Sequence, residues 1–140
     1  MRDKSAELHR AAYTALSRHV PLPDDRLHDL LYDRHMAPAA WGPYPDAADV
    51  LRALRERGVG VGVVSNIGWD IRSNFAHHGL ADLVDGFTLS FEHGLEKPDP
   101  ALFEAACRAV HASPCKTIMV GDTMARFHPA RAAEAIAAGE

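Results

Sequence analysis

Residues 59–66 read Val-Gly-Val-Gly-Val-Val-Ser-Asn, a short β-branched run that ends on two polar side chains. Upstream, Val50, Leu51 and Leu54 recur at helical spacing behind Asp46, a capping residue type, and the pattern stops at Gly58, a residue suited to the position just past a helix end. Downstream, the pattern predicts a helix over 70–77 ended by Gly79, a strand over 87–90, a helix over 100–110 and a strand over 116–120 that ends at Gly121 and Asp122. Strands alternating with helices define an α/β fold around a parallel sheet. The carboxyl ends of such strands border the crevice where ligands bind. Ser65 and Asn66 lie at one such end and Asp122 at another, with Leu95-Glu96-Lys97-Pro98-Asp99 between them in sequence.

Further out, Leu8, Ala11, Ala12, Ala15 and Leu16 mark an amphipathic helix over 5–19, and Leu27, Leu30, Leu31 and His35 a second over 24–36. Residues 37–45, Ala-Pro-Ala-Ala-Trp-Gly-Pro-Tyr-Pro, break any helix. The boundary falls there, with a small helical piece at 1–43 and the α/β core at 44–140. A short Ala-rich helix is expected over 130–138.

At 140 residues the chain has room for one domain and a small appendage. Hydrophobic residues make up 47% and charged residues 24%, ordinary values for a globular protein. The formal net charge is -4 and the arginines are dispersed, so a nucleic-acid partner is not expected. No apolar segment has the length of a membrane span or the core of a signal peptide, which makes the expected location cytoplasmic. Cys107 and Cys115 form no C-x-x-C pair, and Cys107, on an apolar helical position, reads as a buried free thiol. The 9 histidines are scattered, without the paired spacings of a zinc site. Trp41 and Trp69 read as core or cap-contact residues.

The order Val-Val-Ser-Asn (63–66), Leu-Glu-Lys-Pro-Asp-Pro (95–100) and Ile-Met-Val-Gly-Asp-Thr (118–123) resembles the second, third and fourth motifs of the haloacid dehalogenase superfamily. The resemblance covers about residues 45–123. It implies an incomplete Rossmann-like parallel sheet with a partial N-terminal helical cap. It also implies roles that agree with the chemistry of the side chains. Ser65, and the backbone amides of Asn66 and the residues after it, would hold a phosphoryl oxygen. Lys97 would place a positive charge against the transferring group, Pro98 would fix the adjoining backbone, and Asp99 would cap the next helix. Asp122 would be a ligand for Mg²⁺, which prefers oxygen donors.

Two departures from the family pattern stand out. No strand is followed by the Asp-X-Asp pair whose first carboxylate attacks phosphorus, and Asp3, Asp24, Asp25, Asp29 and Asp33 lie in or beside helical stretches. The second acidic residue of the fourth motif is replaced by Phe127, and resemblance ceases from Met124 on. The expectation is an incomplete product, with a start inside the cap region and a reading frame shifted or ended after Asp122. The family's first strand lies mid-sheet, so its loss would leave neighbouring strands with unpaired backbone groups.

The leading functional expectation is a hydrolase of this superfamily, a Mg²⁺-dependent phosphatase of a small phosphorylated metabolite, inactive in the chain as written. One alternative is a metal-independent dehalogenase of a 2-halo acid. Another is a non-catalytic module that binds an anion through Ser65, Asn66 and Lys97. A receiver-like signalling domain shares the α/β pattern but lacks an early acidic cluster.

Overall fold

A computed structural model describes residues 2–121. Helix α1 (Ala6–Ser17) starts where the Ser5 hydroxyl accepts the Leu8 amide, and α2 (Arg26–Met36) follows Asp24, whose carboxylate accepts the Arg26 amide at 2.9 Å. The two helices pack side by side through polar and aromatic groups. His9 Nδ1 lies 2.8 Å from the Tyr32 hydroxyl and His28 Nδ1 2.9 Å from the Ser17 hydroxyl. Arg10 reaches both Asp29 and Asp33, half-exposed pairs that contribute little to stability. Both helices were legible from apolar periodicity, yet the apolar stripe is not what they bury. Leu8, Leu16, Leu30 and Leu31 are more than half exposed, while His9, Thr14, His28 and Tyr32 are buried. Hydrogen bonds between the helices, and contact of α1 with the core, set their rotation.

After a single 3₁₀ turn at Pro38–Ala40, α3 (Ala47–Glu56) leads to Gly58, whose φ of +71° is a conformation glycine adopts without a Cβ penalty. Asp46 stands at the start of α3 but its side chain makes no capping bond. Strand β1 (Gly62–Ser65), α4 (Arg72–His77) and β2 (Gly86–Leu89) form a parallel β-α-β unit in the register Gly62 to Gly86 through Ser65 to Leu89. A short helix α5 (Ser90–His93), which the sequence pattern did not announce, follows β2 directly. Helix α6 (Pro100–Ala109), capped by the Asp99 carboxylate on the Ala101 amide, then packs across both strands. The register partners Gly62 and Gly86 permit the close approach. A Cβ on Gly62 would lie 2.9 Å from the Val110 side chain, and one on Gly86 3.0 Å from the Ala109 Cβ.

The core gathers Ile67, Ile71 and Leu89, with Val63, Trp69, Phe75, Phe87 and Phe91 packed around them. Cys107 is buried and Cys115 exposed, both as free thiols.

The strand expected over 116–120 is not formed. A 3₁₀ turn at Pro114–Lys116 runs into irregular chain, with Ile118 88% and Val120 85% exposed. A strand exists only through the groups that pair with it, and among the described residues the sheet consists of β1 and β2. The α/β architecture stands, with a smaller parallel sheet than the sequence suggested. The expected helix over 130–138 lies outside the described residues.

Candidate active site

Ser65 is the last residue of β1, and the residues on either side of it both bind Lys97. The Lys97 ammonium donates to the Val64 carbonyl at 2.9 Å. The Asn66 side chain clasps the Lys97 backbone, its Oδ1 accepting the Lys97 N–H at 2.7 Å and its Nδ2 donating to the Lys97 carbonyl at 3.1 Å. These bonds span more than thirty positions of sequence, and they bring the loop between α5 and α6 onto the carboxyl end of β1. The structure therefore brings together Ser65, Asn66 and Lys97, all of intermediate burial. The Lys97–Pro98 peptide is cis.

Asn66 spends its side chain on holding Lys97. The next amide, that of Ile67, is also engaged: it donates to the Ser90 hydroxyl at 2.8 Å. The expected row of backbone amides aimed at an anion is reduced accordingly, since the Ile67 N–H has a protein acceptor. A hydroxyl and an ammonium held at one strand end stabilise negative charge in a partly dehydrated place. They do not themselves supply an attacking carboxylate.

Asp122 and Phe127 lie outside the described residues. Among the described residues no group of three or more His, Cys, Asp or Glu side chains stands close enough to hold a metal ion. The described part of the site thus offers a cation and a hydroxyl where Mg²⁺ would need a set of oxygen donors.

Several contacts around the site were not legible from motifs. Ser90 is fully buried; its hydroxyl also donates to the Asp3 carbonyl at 2.6 Å. Asp3, whose relative exposure is 6%, donates its amide to Glu96 Oε1 at 2.8 Å. His9, 2% exposed, stacks on Tyr13 and lies at 5.2 Å between ring centroids from Trp69. Trp41 and Trp69 meet with centroids 5.5 Å apart, which agrees with reading them as packing residues. Burial pushes the His9 imidazole below its ordinary pKa; the Asp3 carboxylate opposes that shift, and Arg2 and His35 reinforce it. Apart from Trp41 and Trp69, no local feature of the sequence announced these groups.

The sequence matches the haloacid dehalogenase-like hydrolase profile over residues 6–134. The chain belongs to the haloacid dehalogenase-like hydrolase family. It is 34% identical over 92 residues to haloacid dehalogenase-like hydrolase domain-containing protein 3 of Homo sapiens, covering 66% of this chain and 37% of that protein. Identity to the ribulose-1,5-bisphosphate 5-phosphatase of Halopiger xanaduensis is 30% over 120 residues, covering 79% of this chain and 47% of that enzyme. The crystal structure of a HAD phosphatase from Thermococcus onnurineus superposes with a TM-score of 0.64 at 26% identity, over 79% of this chain and 53% of that one. The chain therefore spans between about a third and a half of the length of these curated relatives. No helix among the described residues is long and apolar enough to cross a membrane.

Proposed function

We propose that residues 1–140 carry the charge-stabilising half of a phosphatase site that acts on a small phosphorylated metabolite. The observation that carries this reading is the fixation of Lys97, by Val64 and Asn66, at the strand end beside Ser65. The names of relatives support phosphate ester hydrolysis over dehalogenation: beside the ribulose-1,5-bisphosphate 5-phosphatase stands the phosphoserine phosphatase of Thermus thermophilus, 36% identical over 80 residues, covering 56% of this chain and 32% of that enzyme.

In this reading the Ser65 hydroxyl donates to one phosphoryl oxygen. The Lys97 ammonium offsets the charge that gathers as a carboxylate approaches phosphorus. Asp122 would contribute an oxygen to Mg²⁺, a role supported by its place in the fourth motif; the roles of Ser65 and Lys97 stand without the metal. Residues 1–43 would form part of a helical cap over the core at 44–140, in a protein of the cytoplasm. Because no Asp-X-Asp pair follows a strand in this sequence, residues 1–140 alone are expected to bind phosphate without turning over its esters. The same fact favours, as a second reading, a module that only binds anions.

The test uses the full 140-residue chain. Titration with inorganic phosphate should show binding that Lys97→Met abolishes; binding indifferent to Lys97→Met would overturn the site. Assay with an aryl phosphate should show no turnover. Mg²⁺-dependent turnover lost in Asp122→Asn would instead make this chain a complete catalyst, and chelator-insensitive release of halide from a 2-halo acid would favour the dehalogenase.

A further inference from the structure

The segment that precedes α1 reaches the loop that carries Lys97. Asp3 touches that region through its backbone. Its N–H donates to the Glu96 carboxylate at 2.8 Å and its C=O accepts from the Ser90 hydroxyl at 2.6 Å. Ser90 has a single hydroxyl proton. The carbonyls of Asp3, at 2.6 Å, and Ile67, at 3.0 Å, both face that hydroxyl; the shorter contact assigns the proton to Asp3, and the Ser90 oxygen accepts the Ile67 amide at 2.8 Å. Glu96 immediately precedes Lys97, and Ile67 immediately follows Asn66. One attachment of Asp3 is thus made to the residue before Lys97, and the other, Ser90, also holds the amide of the residue after Asn66.

We propose that Glu96 is a positioning residue for Lys97: by accepting the Asp3 amide it fixes the start of the Lys97 loop, so that the place of the ammonium depends on the N-terminal helical segment being docked. The proposal rests on the reading of Lys97 as the anion-binding cation only for its functional meaning. Its structural content stands separately. The loop is held at the Glu96 side chain by Asp3 and at the Lys97 N–H and C=O by Asn66. A carboxylate accepting an N–H is a charge-assisted bond, stronger than a neutral one. Its removal frees the side of the loop that Asn66 does not hold.

The discriminating variants are Glu96→Ala, which deletes the acceptor, and Glu96→Gln, whose Oε1 still accepts the Asp3 N–H. Two quantities are read on the full chain: hydrogen exchange at the Asp3 amide, and the rate at which acetic anhydride modifies Lys97 relative to Lys4 and Lys116. Neither involves an anion, so failure here is distinct from failure of phosphate to bind. In Glu96→Ala, exchange at Asp3 and acetylation of Lys97 should each rise about tenfold, as expected for losing one charge-assisted bond. Lys4 and Lys116 should stay at their original rates, and Glu96→Gln should restore Lys97. Faster exchange at Asp3 with Lys97 unchanged would overturn the proposal, as would a Glu96→Gln protein that behaves like Glu96→Ala. If Glu96→Ala unfolds, shown by all three lysines rising together, Glu96→Met keeps the two-carbon stem and puts a weakly accepting thioether in place of the carboxylate, and the same comparison decides.

Discussion

A Cβ built on Gly68 would stand 2.1 Å from the His9 Cβ and 2.3 Å from its Cγ. No rotamer change relieves that clash, because the His9 Cβ is fixed to the backbone of α1. The turn after β1 and the first helix therefore touch at a position that only glycine fits. Gly68→Ala should push the two apart and cost about 1–3 kcal/mol, the usual penalty for overpacking. Gly42, with nothing within 4 Å of its would-be Cβ, is the control: Gly42→Ala should stay within about 0.5 kcal/mol of the parent. Urea titrations of the two variants against the parent check both values. Equal stabilities would mean that α1 does not rest on Gly68.

Ser90 ties the same two parts together by hydrogen bonds. Ser90→Ala leaves the Ile67 N–H and the Asp3 C=O without their partner at a fully buried residue. Each orphaned group costs about 1–3 kcal/mol. The variant should melt well below the parent in a thermal scan. A melting temperature unchanged by Ser90→Ala would show that water or rearranged backbone replaces the hydroxyl.

How the chain reads as a sequence follows from where its constraints lie. The β1-α4-β2 unit was legible because β-branched runs, helical spacing and the glycines at 58 and 79 are all local features. Gly58 and Gly79 do adopt positive φ, at 71° and 68°. The approach of Lys97 to Ser65 was legible only through the order of motifs. Residues 116–120 failed as a strand because Lys-Thr-Ile-Met-Val specifies a strand only beside another one. The rotation of α1 and α2 was misjudged for a related reason. Apolar spacing locates a buried face when burial is driven by apolar contact, whereas here His9, Tyr32, Ser17 and His28 hydrogen-bond across the seam. The bond from Asp3 to Glu96 crosses 93 positions, and nothing near either residue announces it.

The buried imidazole of His9 makes stability depend on pH. Its native pKa is depressed, first by loss of solvent, with the Asp3 carboxylate acting the other way. The unfolded chain takes up this proton near the ordinary value of about 6.5, before the native state does. The native state therefore keeps full stability above that value. It loses stability as pH falls through the interval down to the native pKa, by no more than about 1.4 kcal/mol per pH unit for one proton. His9→Gln has no such proton. Chemical denaturation of both proteins from neutral to mildly acidic pH should give curves that converge on acidification. Parallel curves would show that His9 takes up its proton equally in both states.

Asn66 offers the sharpest test of the site itself. Its amide group is complementary to the Lys97 backbone in one orientation only, with Oδ1 facing the N–H and Nδ2 facing the carbonyl. In Asn66→Asp one carboxylate oxygen still accepts the N–H, but the other faces the Lys97 carbonyl without a proton between them, and a negative charge enters a site meant for an anion. Asn66→Ala loses the clasp without adding charge. Affinity for inorganic phosphate, measured by calorimetry, should fall about tenfold in Asn66→Ala, the weight of a hydrogen bond of ordinary strength. It should fall further in Asn66→Asp, where repulsion adds to the lost clasp. The difference between the two variants should shrink at high salt, because screening acts on the charge and leaves the clasp unaffected. Equal losses at every salt concentration would place the phosphate away from Asn66 and the strand end.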